Sequence, residues 1–219
     1  MANVVPLLRV VQPEIEAPVS DPWTRAELVG RLVEISGLGA SSALTMVFGL
    51  VVAAQQEGEP VAWVNASKST FYPPDAAAGG VDLESLVVIR ANDGVVAATA
   101  ADKLLRSGAF GVVVLDLERS FDISLGLQAR LVKLAQKHEA AVVCLTSKKA
   151  HVPSLSSLVS LRCSAVRKPK QKSGTSGRSR FEPGTFEAGF DCEVSVIKDK
   201  RRGPGWRHEE HHRGPPGLR

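Results

Sequence analysis

Five short apolar segments, alternating with stretches of helical pattern, constrain the fold of this chain most strongly. Each is almost continuous in Val, Ile, Leu, Ala or Trp, which is typical of strands buried on both faces of a sheet. The segment 124–138 has leucines at three- to four-residue spacing and predicts an amphipathic helix. This alternation predicts an α/β fold whose mostly parallel central sheet is flanked by helices. The strand segments are residues 31–36, 60–65, 86–89, 112–116 and 140–145.

Composition divides the chain into three parts. Residues 1–22 combine a short apolar stretch with prolines and acids, and we interpret them as an N-terminal arm. Residues 23–200 hold the periodic segments and form the predicted core, with two further strands at 158–166 and 192–197. Residues 167–183 are rich in Lys, Ser, Gly and Arg and are predicted to form a mobile loop. Residues 201–219 carry little to bury, so we expect a basic, disordered C-terminal tail.

The net charge of +4 is unevenly distributed. Residues 1–164 have a net charge of −2, whereas residues 165–219 have a net charge of +6. Such an asymmetry suggests an acidic partner, and DNA is the first candidate. A solvated tail that only aids solubility is the alternative. The candidate nucleic-acid-binding residues are Arg167, Lys168, Lys170, Lys172, Lys198, Lys200, Arg201 and Arg202.

The cysteines and the apolar runs indicate a cytoplasmic protein. No apolar run reaches membrane-spanning length, and the first residues do not resemble a secretory signal. The three cysteines are widely spaced in apolar sequence, without a CxxC pair, which favours buried reduced thiols over disulfides or a metal site.

A glycine-containing turn follows the first strand segment, at the place where a phosphate-binding loop would stand in such a fold. The working pattern is glycine, four residues, then Gly-Lys-Ser/Thr. Aligning Gly37 with the first glycine puts Ser42, Ala43 and Leu44 at the three specific positions. Ala43 removes the cation, Leu44 removes the metal ligand, and Ser42 adds a side chain where glycine is expected. The pattern therefore predicts neither a cofactor nor catalysis, only a vestigial loop.

Several stretches of the chain resemble RecA recombinase. Residues 33–58 align with its phosphate-loop strand and helix without a gap, and the similarity continues through 62–66, 80–86, 104–109 and 112–116. The resemblance implies a RecA-like core over roughly 30–200. Asp116 matches the Walker B aspartate, and Ser67 stands where RecA carries its catalytic glutamate. Alone this aspartate cannot hold a metal against a triphosphate, so we expect a vestigial site without a metal; a strand-end acid that caps the next turn is the alternative.

A shortened RecA relative with an altered nucleotide site is similar to the ImuA family, which is also related to the SulA division inhibitors. That resemblance implies a non-catalytic adaptor in SOS-induced translesion DNA synthesis. Its implied partners are RecA, an ImuB-type inactive Y-family polymerase relative, an error-prone replicative-type polymerase and DNA, with no membrane. Two alternatives stay open: a SulA-like inhibitor of the division GTPase, and a divergent ATPase or recombination protein.

The N-terminal arm carries a strand-like apolar stretch. RecA subunits join through an N-terminal strand that extends a neighbour's sheet, so the resemblance implies a docking arm here. The same stretch could instead fold back on its own core. The candidate partner-binding residues are Val4, Val5, Leu7, Leu8, Val10 and Val11.

Residues 208–212 match the HExxH pattern of zinc peptidases. That chemistry needs both histidines on a buried helix and usually a further ligand. Here the motif lies between Gly/Pro-rich segments near the end of the chain, and we interpret it as a coincidence.

Overall fold

The computed structural model describes residues 23–39, 41–66, 71–117, 123–169 and 189–213, and these ranges contain five helices and eight strands. The elements in chain order are α1 (Arg25–Leu28), β1 (Leu32–Ser36), α2 (Ala43–Gln56), β2 (Val61–Ala66), α3 (Pro73–Ala78), β3 (Leu86–Ala91), α4 (Gly94–Ser107), β4 (Val112–Asp116), α5 (Leu125–Lys137), β5 (Ala141–Thr146), β6 (Leu161–Pro169), β7 (Gly189–Asp199) and β8 (Arg207–Arg213).

All eight strands form one sheet in the order β3-β2-β4-β5-β1-β6-β7-β8. The first six strands of this order pair in parallel, and β7 and β8 extend the sheet as antiparallel neighbours of β6. Strands β1, β2, β4 and β5 are buried along their whole length, as their continuous apolar sequences predict. The predicted fold class, a mostly parallel sheet flanked by helices, is confirmed.

The helices cover both faces of the sheet. Helix α2 packs on one face through Met46, Val47 and Leu50, in a core that also contains Trp63. Helices α4 and α5 pack on the other face, where Leu105 and Leu131 are fully buried. None of the helices in the described ranges combines the length and the apolar character that crossing a membrane requires.

Local sequence sets the helix ends. The Asp93 carboxylate accepts the Val96 N–H at 2.8 Å and begins α4, while the Ser124 hydroxyl accepts the Leu127 N–H at 3.3 Å and begins α5. Helix α4 ends at Gly108, whose φ of +68° lies in the left-handed region that favours glycine.

Two predictions about the C-terminal quarter were wrong for the residues that are described. The predicted loop 167–183 begins too early, because β6 continues to Pro169; residues 170–188 lie outside the described ranges. The predicted tail 201–219 contains β8, which pairs with β7 over seven residues. Backbone pairing and the buried ring of Trp206 hold this strand, although its residues are mostly Arg, His and Glu. Gly203 and Gly205, at φ of +85° and +105°, allow the turn that leads into it.

A buried ion pair joins the beginning of β1 to the end of β7. The Arg31 guanidinium donates to Asp199 Oδ1 at 2.6 Å and to the Ser160 carbonyl at 2.7 Å. Asp199 also accepts from Trp206 Nε1 at 3.1 Å. Burial alone would raise the pKa of Asp199, but hydrogen bonds from the Arg201 backbone, Arg31 and Trp206 hold it below its ordinary value.

The three cysteines are free thiols, as predicted. Cys144, Cys163 and Cys192 are all buried, and burial is the first cause that raises the pKa of each thiol. Their buried positions suit packing in the core of the sheet.

Candidate functional site

A cavity of about 430 Å³ opens at the carboxyl ends of β1, β4 and β5. In open α/β sheets this edge is the usual position of ligand sites. The loop between β1 and α2 forms one wall, and Asp116 at the end of β4 also lines the cavity. The lining residues are Gly37, Leu38, Gly39, Ser41, Ala43, Leu44, Asp116, Leu145, Thr146 and Ser147.

The side chain of Ser41 points into the loop and makes two hydrogen bonds within the protein. Its hydroxyl accepts the Ala43 N–H at 3.0 Å and donates to the Ala165 carbonyl on β6 at 3.3 Å. It lies so close to Gly37 that a Cβ added at Gly37 would be 1.7 Å from Ser41 Oγ. In working phosphate loops the backbone N–H groups point at the phosphates. Here the Ala43 N–H is satisfied from inside the loop.

At the three specific positions of the loop, one side chain makes a hydrogen bond within the protein and two side chains are apolar. The Ser42 hydroxyl donates to the Val166 carbonyl at 2.9 Å, which fastens the beginning of α2 to β6. Its φ of −95° is a conformation that any residue adopts, so serine causes no strain there. Ala43 and Leu44 bring only apolar side chains to the cavity, and 40% of Leu44 is exposed.

The Walker B match lies where the sequence places it. Asp116 ends β4 and is 7% exposed; its register neighbours are Asn65 on β2 and Leu145 on β5. The Asp116 side chain makes a contact with another group of the protein. Ser67, which stands at the place of the catalytic glutamate, lies outside the described residues.

Glu34 is a polar centre that the sequence analysis did not single out. It is fully buried on β1, and its carboxylate accepts from Thr146 Oγ1 at 3.0 Å and from the Leu155 N–H at 2.9 Å. It also pairs with Lys148 Nζ at 2.5 Å, and the same ammonium donates to the Pro153 carbonyl. These contacts fix the segment that follows β5, beside the cavity. The signal in the sequence was one acid within an otherwise apolar strand segment.

The predicted nucleic-acid-binding residues form two separate groups. Register places Arg162 opposite Lys198 and Lys168 opposite Asp191. Six residues along a strand span about 20 Å, so Arg167 and Lys168 lie that far from Lys198. Lys170 and Lys172 lie outside the described residues.

The second basic group, 198–202, is largely engaged in contacts within the protein. Arg201 donates to the Val29 carbonyl at 2.7 Å, Arg202 pairs with Glu27 at 2.5 Å, and Lys200 donates to the Ser157 carbonyl at 2.6 Å. Burial lowers the pKa of Lys198, and the neighbouring Lys200 acts in the same direction. The side chains of Lys200, Arg201 and Arg202 are therefore held against the protein around α1 and the end of β7.

The first basic group lies at the end of the β6–β7 hairpin where β6 ends and β7 begins. The Arg167 guanidinium carbon is 3.6 Å from the centre of the Phe190 ring, and Arg167 as a residue is exposed. Lys168 points to the opposite face and pairs with Glu193. Burial acts to raise the pKa of Glu193, but hydrogen bonds from Lys168 and Ser195 lower it to about 2.

The HExxH residues lie on a strand and not on a helix. His208 and His212 are on one face of β8, with Glu210 between them at 2.8 and 3.2 Å, while Glu209 and His211 alternate to the other face. Over the described ranges, no cluster of three or more His, Cys, Asp or Glu side chains is arranged to hold a metal ion. The partner-binding candidates in the arm, residues 4–11, lie outside these ranges.

A parallel sheet with a strand, a glycine loop and a helix at its central crevice defines the class of P-loop-type α/β proteins. Within that class, residues 27–150 match the RecA N-terminal domain. Since this match covers more than half of the chain, the protein belongs to the RecA N-terminal domain family.

Individual RecA proteins are similar to this chain over about half its length. Protein RecA of Bifidobacterium breve is 36% identical over 117 residues, which cover 48% of this chain and 30% of the relative. Protein RecA of Fusobacterium nucleatum is 33% identical over 114 residues, covering 47% and 30%. Protein RecA of a Picosynechococcus is 33% identical over 117 residues, covering 48% and 33%. The matched part thus spans about a third of the curated relatives.

Proposed function

We propose that this protein is a non-catalytic RecA-family adaptor of the ImuA type, which acts in SOS-induced translesion DNA synthesis, a mutagenic form of DNA repair. The observation that carries the proposal is the loop closed by Ser41. Its hydroxyl occupies the Ala43 N–H, and neither Ala43 nor Leu44 supplies a polar side chain. A protein that keeps the fold but not the phosphate-binding groups can still act through its surfaces.

Three separate losses weaken nucleotide binding in this proposal. A lysine–phosphate contact and a hydrogen bond to a charged group each contribute about 1.5–3 kcal/mol, and a bound Mg²⁺ needs its hydroxyl and carboxylate ligands. Ala43, Leu44 and Ser67 supply none of the usual groups. Asp116 alone does not replace them.

The first prediction concerns nucleotide binding by the wild-type protein. We expect isothermal titration calorimetry with ATP and Mg²⁺ to give no saturable heat, because the cradle lacks a cation and the Ala43 N–H is already bonded. Retention of secondary structure, checked by circular dichroism, is the control. Micromolar affinity would contradict the proposal and favour the divergent ATPase, provided that Leu44→Glu, which places a negative charge at the mouth of the cavity, weakens that binding.

The proposed partners are RecA, an ImuB-type inactive Y-family polymerase relative and an error-prone replicative-type polymerase. Support comes from the resemblance and from family membership. The apolar arm residues 4–11 are the proposed docking element, and cytoplasmic localisation goes with this role. The SulA-like alternative instead has the cell-division GTPase as its partner.

The second prediction separates these partners. We expect affinity capture from cells treated with a DNA-damaging agent to recover RecA or a translesion polymerase, and deletion of residues 1–20 to abolish capture without changing the thermal midpoint. A large fall in the midpoint would show that the arm belongs to its own core. Recovery of the division GTPase alone would establish the SulA-like reading.

Direct contact with DNA is a further part of the proposal. Because Lys200, Arg201 and Arg202 are engaged within the protein, the exposed Arg167 and its sequence neighbours Lys170 and Lys172 are the better candidates, whereas Lys168 pairs with Glu193. Contacts of this kind are salt-dependent and independent of base sequence. Nuclease treatment of the lysate before capture tests the idea: loss of a partner after the treatment is expected if DNA bridges the two, and full retention argues against it.

A further inference from the structure

We infer that the cavity above the vestigial loop is a docking site for an arginine or lysine side chain presented by a protein partner. The inference rests on the proposed function, since a bound nucleotide would fill the same space. Three features support it: the negative charge in the lining, the loop N–H groups that are already hydrogen-bonded within the protein, and the apolar mouth of the cavity.

Of the described residues that line the cavity, one carries a formal charge, and it is negative. Asp116 is the only charged residue among the ten that line the cavity, and no Lys, Arg or His is among them. Lys148 lies nearby in sequence, but its ammonium is held by Glu34 and by the Pro153 carbonyl. Among the described residues that line the cavity, an anionic ligand would therefore meet a carboxylate and no opposing cation, whereas a cationic ligand would meet a complementary charge.

The N-terminus of α2 and the loop before it attract an anion less strongly than a free helix N-terminus would. A helix N-terminus favours anions through its free N–H groups. Here the Ala43 N–H is taken by Ser41 Oγ, the Gly37 N–H by the Thr146 carbonyl at 3.1 Å, and the Ser41 N–H by the Gly39 carbonyl at 2.8 Å. Three donors of the loop are thus satisfied without a ligand.

The mouth of the cavity is apolar and its inner wall is polar. Leu38 and Leu44 are 48% and 40% exposed, and both line the opening. Asp116, at 7% exposed, and Thr146, at 6%, lie deeper. Arginine and lysine combine an apolar stem with a charged end, so the stem would cover the leucines while the end reaches Asp116.

Asp116 retains the capacity for such a contact although it already touches another group. A carboxylate has about four acceptor positions and can take a bidentate arginine. Thr146 Oγ1 donates its proton to Glu34, which leaves its lone pairs as acceptors. Arginine, with its planar array of donors, fits this set of acceptors better than lysine.

The experiment follows backbone amide signals of the full chain by ¹H–¹⁵N NMR during titration with N-acetyl-arginine methylamide. We expect saturable shifts at Gly37, Gly39 and Thr146, with a dissociation constant in the millimolar range for so small a probe. N-acetyl-citrulline methylamide, which has the same shape without the charge, should bind about tenfold more weakly. Similar responses to the arginine and citrulline probes, or to N-acetyl-leucine methylamide, would overturn the inference.

Two variants make the test specific for the cavity. Asp116→Asn should weaken arginine binding about tenfold, and Leu44→Lys should weaken it by placing a like charge at the mouth. Leu125→Lys is the matched control, because Leu125 is also an exposed leucine in the first turn of a helix but lies outside the lining. It should leave binding unchanged. Equal binding by wild type and both cavity variants would overturn the inference.

A parallel titration with ATP and Mg²⁺ distinguishes failure of the proposed function from failure of the arginine site. Binding of ATP in this cavity contradicts the proposed function and the inference together. Failure of both ATP and the arginine probe to bind leaves the proposed function standing and overturns only the inference.

Discussion

Replacing Asp199 with alanine is expected to lower the free energy of unfolding by about 3–5 kcal/mol. The change leaves the Arg31 guanidinium, which is 1% exposed, without its counter-ion. It also removes the acceptor of the Trp206 indole N–H and of the Arg201 backbone N–H at 2.8 Å. Urea unfolding followed by circular dichroism at neutral pH measures the loss.

Arg202→Ala is the matched control for that measurement. Arg202 pairs with Glu27 at 2.5 Å, but both side chains are partly exposed, at 34% and 25%. Exposed pairs contribute about 0–1 kcal/mol, so this variant should stay close to wild type. A loss for Asp199→Ala no larger than that of the control would show that water reaches the Arg31–Asp199 pair.

The same pair should contribute to the pH dependence of stability. An unperturbed aspartate titrates near about pH 3.9. Because hydrogen bonds hold the pKa of folded Asp199 below that value, the unfolded chain takes up the proton first as the pH falls. The contribution is complete above the ordinary pKa and is lost as the pH falls through the folded pKa. The stability difference between wild type and Asp199→Asn should therefore shrink as the medium is acidified, and a constant difference would contradict this account.

Replacing Glu34 with alanine is expected to have a comparable effect, about 3–5 kcal/mol, with a local consequence near the cavity. The change would leave Lys148 Nζ and the Leu155 N–H without their carboxylate partner. Segment 147–155 should then exchange its amide hydrogens faster than the rest of the sheet edge. Urea unfolding measures the global loss, and hydrogen exchange read by mass spectrometry measures the local one.

Glu57→Ala provides the comparison for Glu34. Glu57 also pairs with a cation, Arg25 at 3.6 Å, but 52% of its side chain is exposed. Its removal should change stability by less than about 1 kcal/mol and leave the exchange of segment 147–155 as in wild type. Unchanged exchange in Glu34→Ala would mean that other contacts hold this segment.

The central strands could be predicted from sequence because burial on both faces demands continuous apolar residues. Segments such as 112–116 and 140–145 show that pattern directly, and the structure places both in the parallel sheet. Strand β8 could not be recognised in this way. Its sequence of Arg, His and Glu has no apolar alternation, and the strand is held by pairing with β7 and by Trp206, contacts that only the folded chain brings together.

The candidate site was predictable in part. The positions of Gly37, Ser42, Ala43 and Leu44 follow from the loop pattern and that of Asp116 from the resemblance to RecA, and all of them line or adjoin the cavity. The partner of Glu34 was not predictable, because Lys148 is distant in the chain and no pattern links the two. The basic cluster divided into two groups because β6 and β7 run antiparallel, and antiparallel strands place the two ends of a hairpin far apart.

Position 41 also bears on how such a loop could regain a ligand. In the phosphate-loop pattern this position accepts any residue, so a comparison restricted to the specific positions passes over it. Yet the Ser41 hydroxyl connects the beginning of α2 to β6 and lies against Gly37, so it holds the loop in this conformation. Introducing glycine, lysine and threonine at positions 42–44 would leave Ser41, and its contact with β6, unchanged. Under the proposed function, regaining nucleotide binding would therefore require a change at Ser41 as well as at positions 42–44.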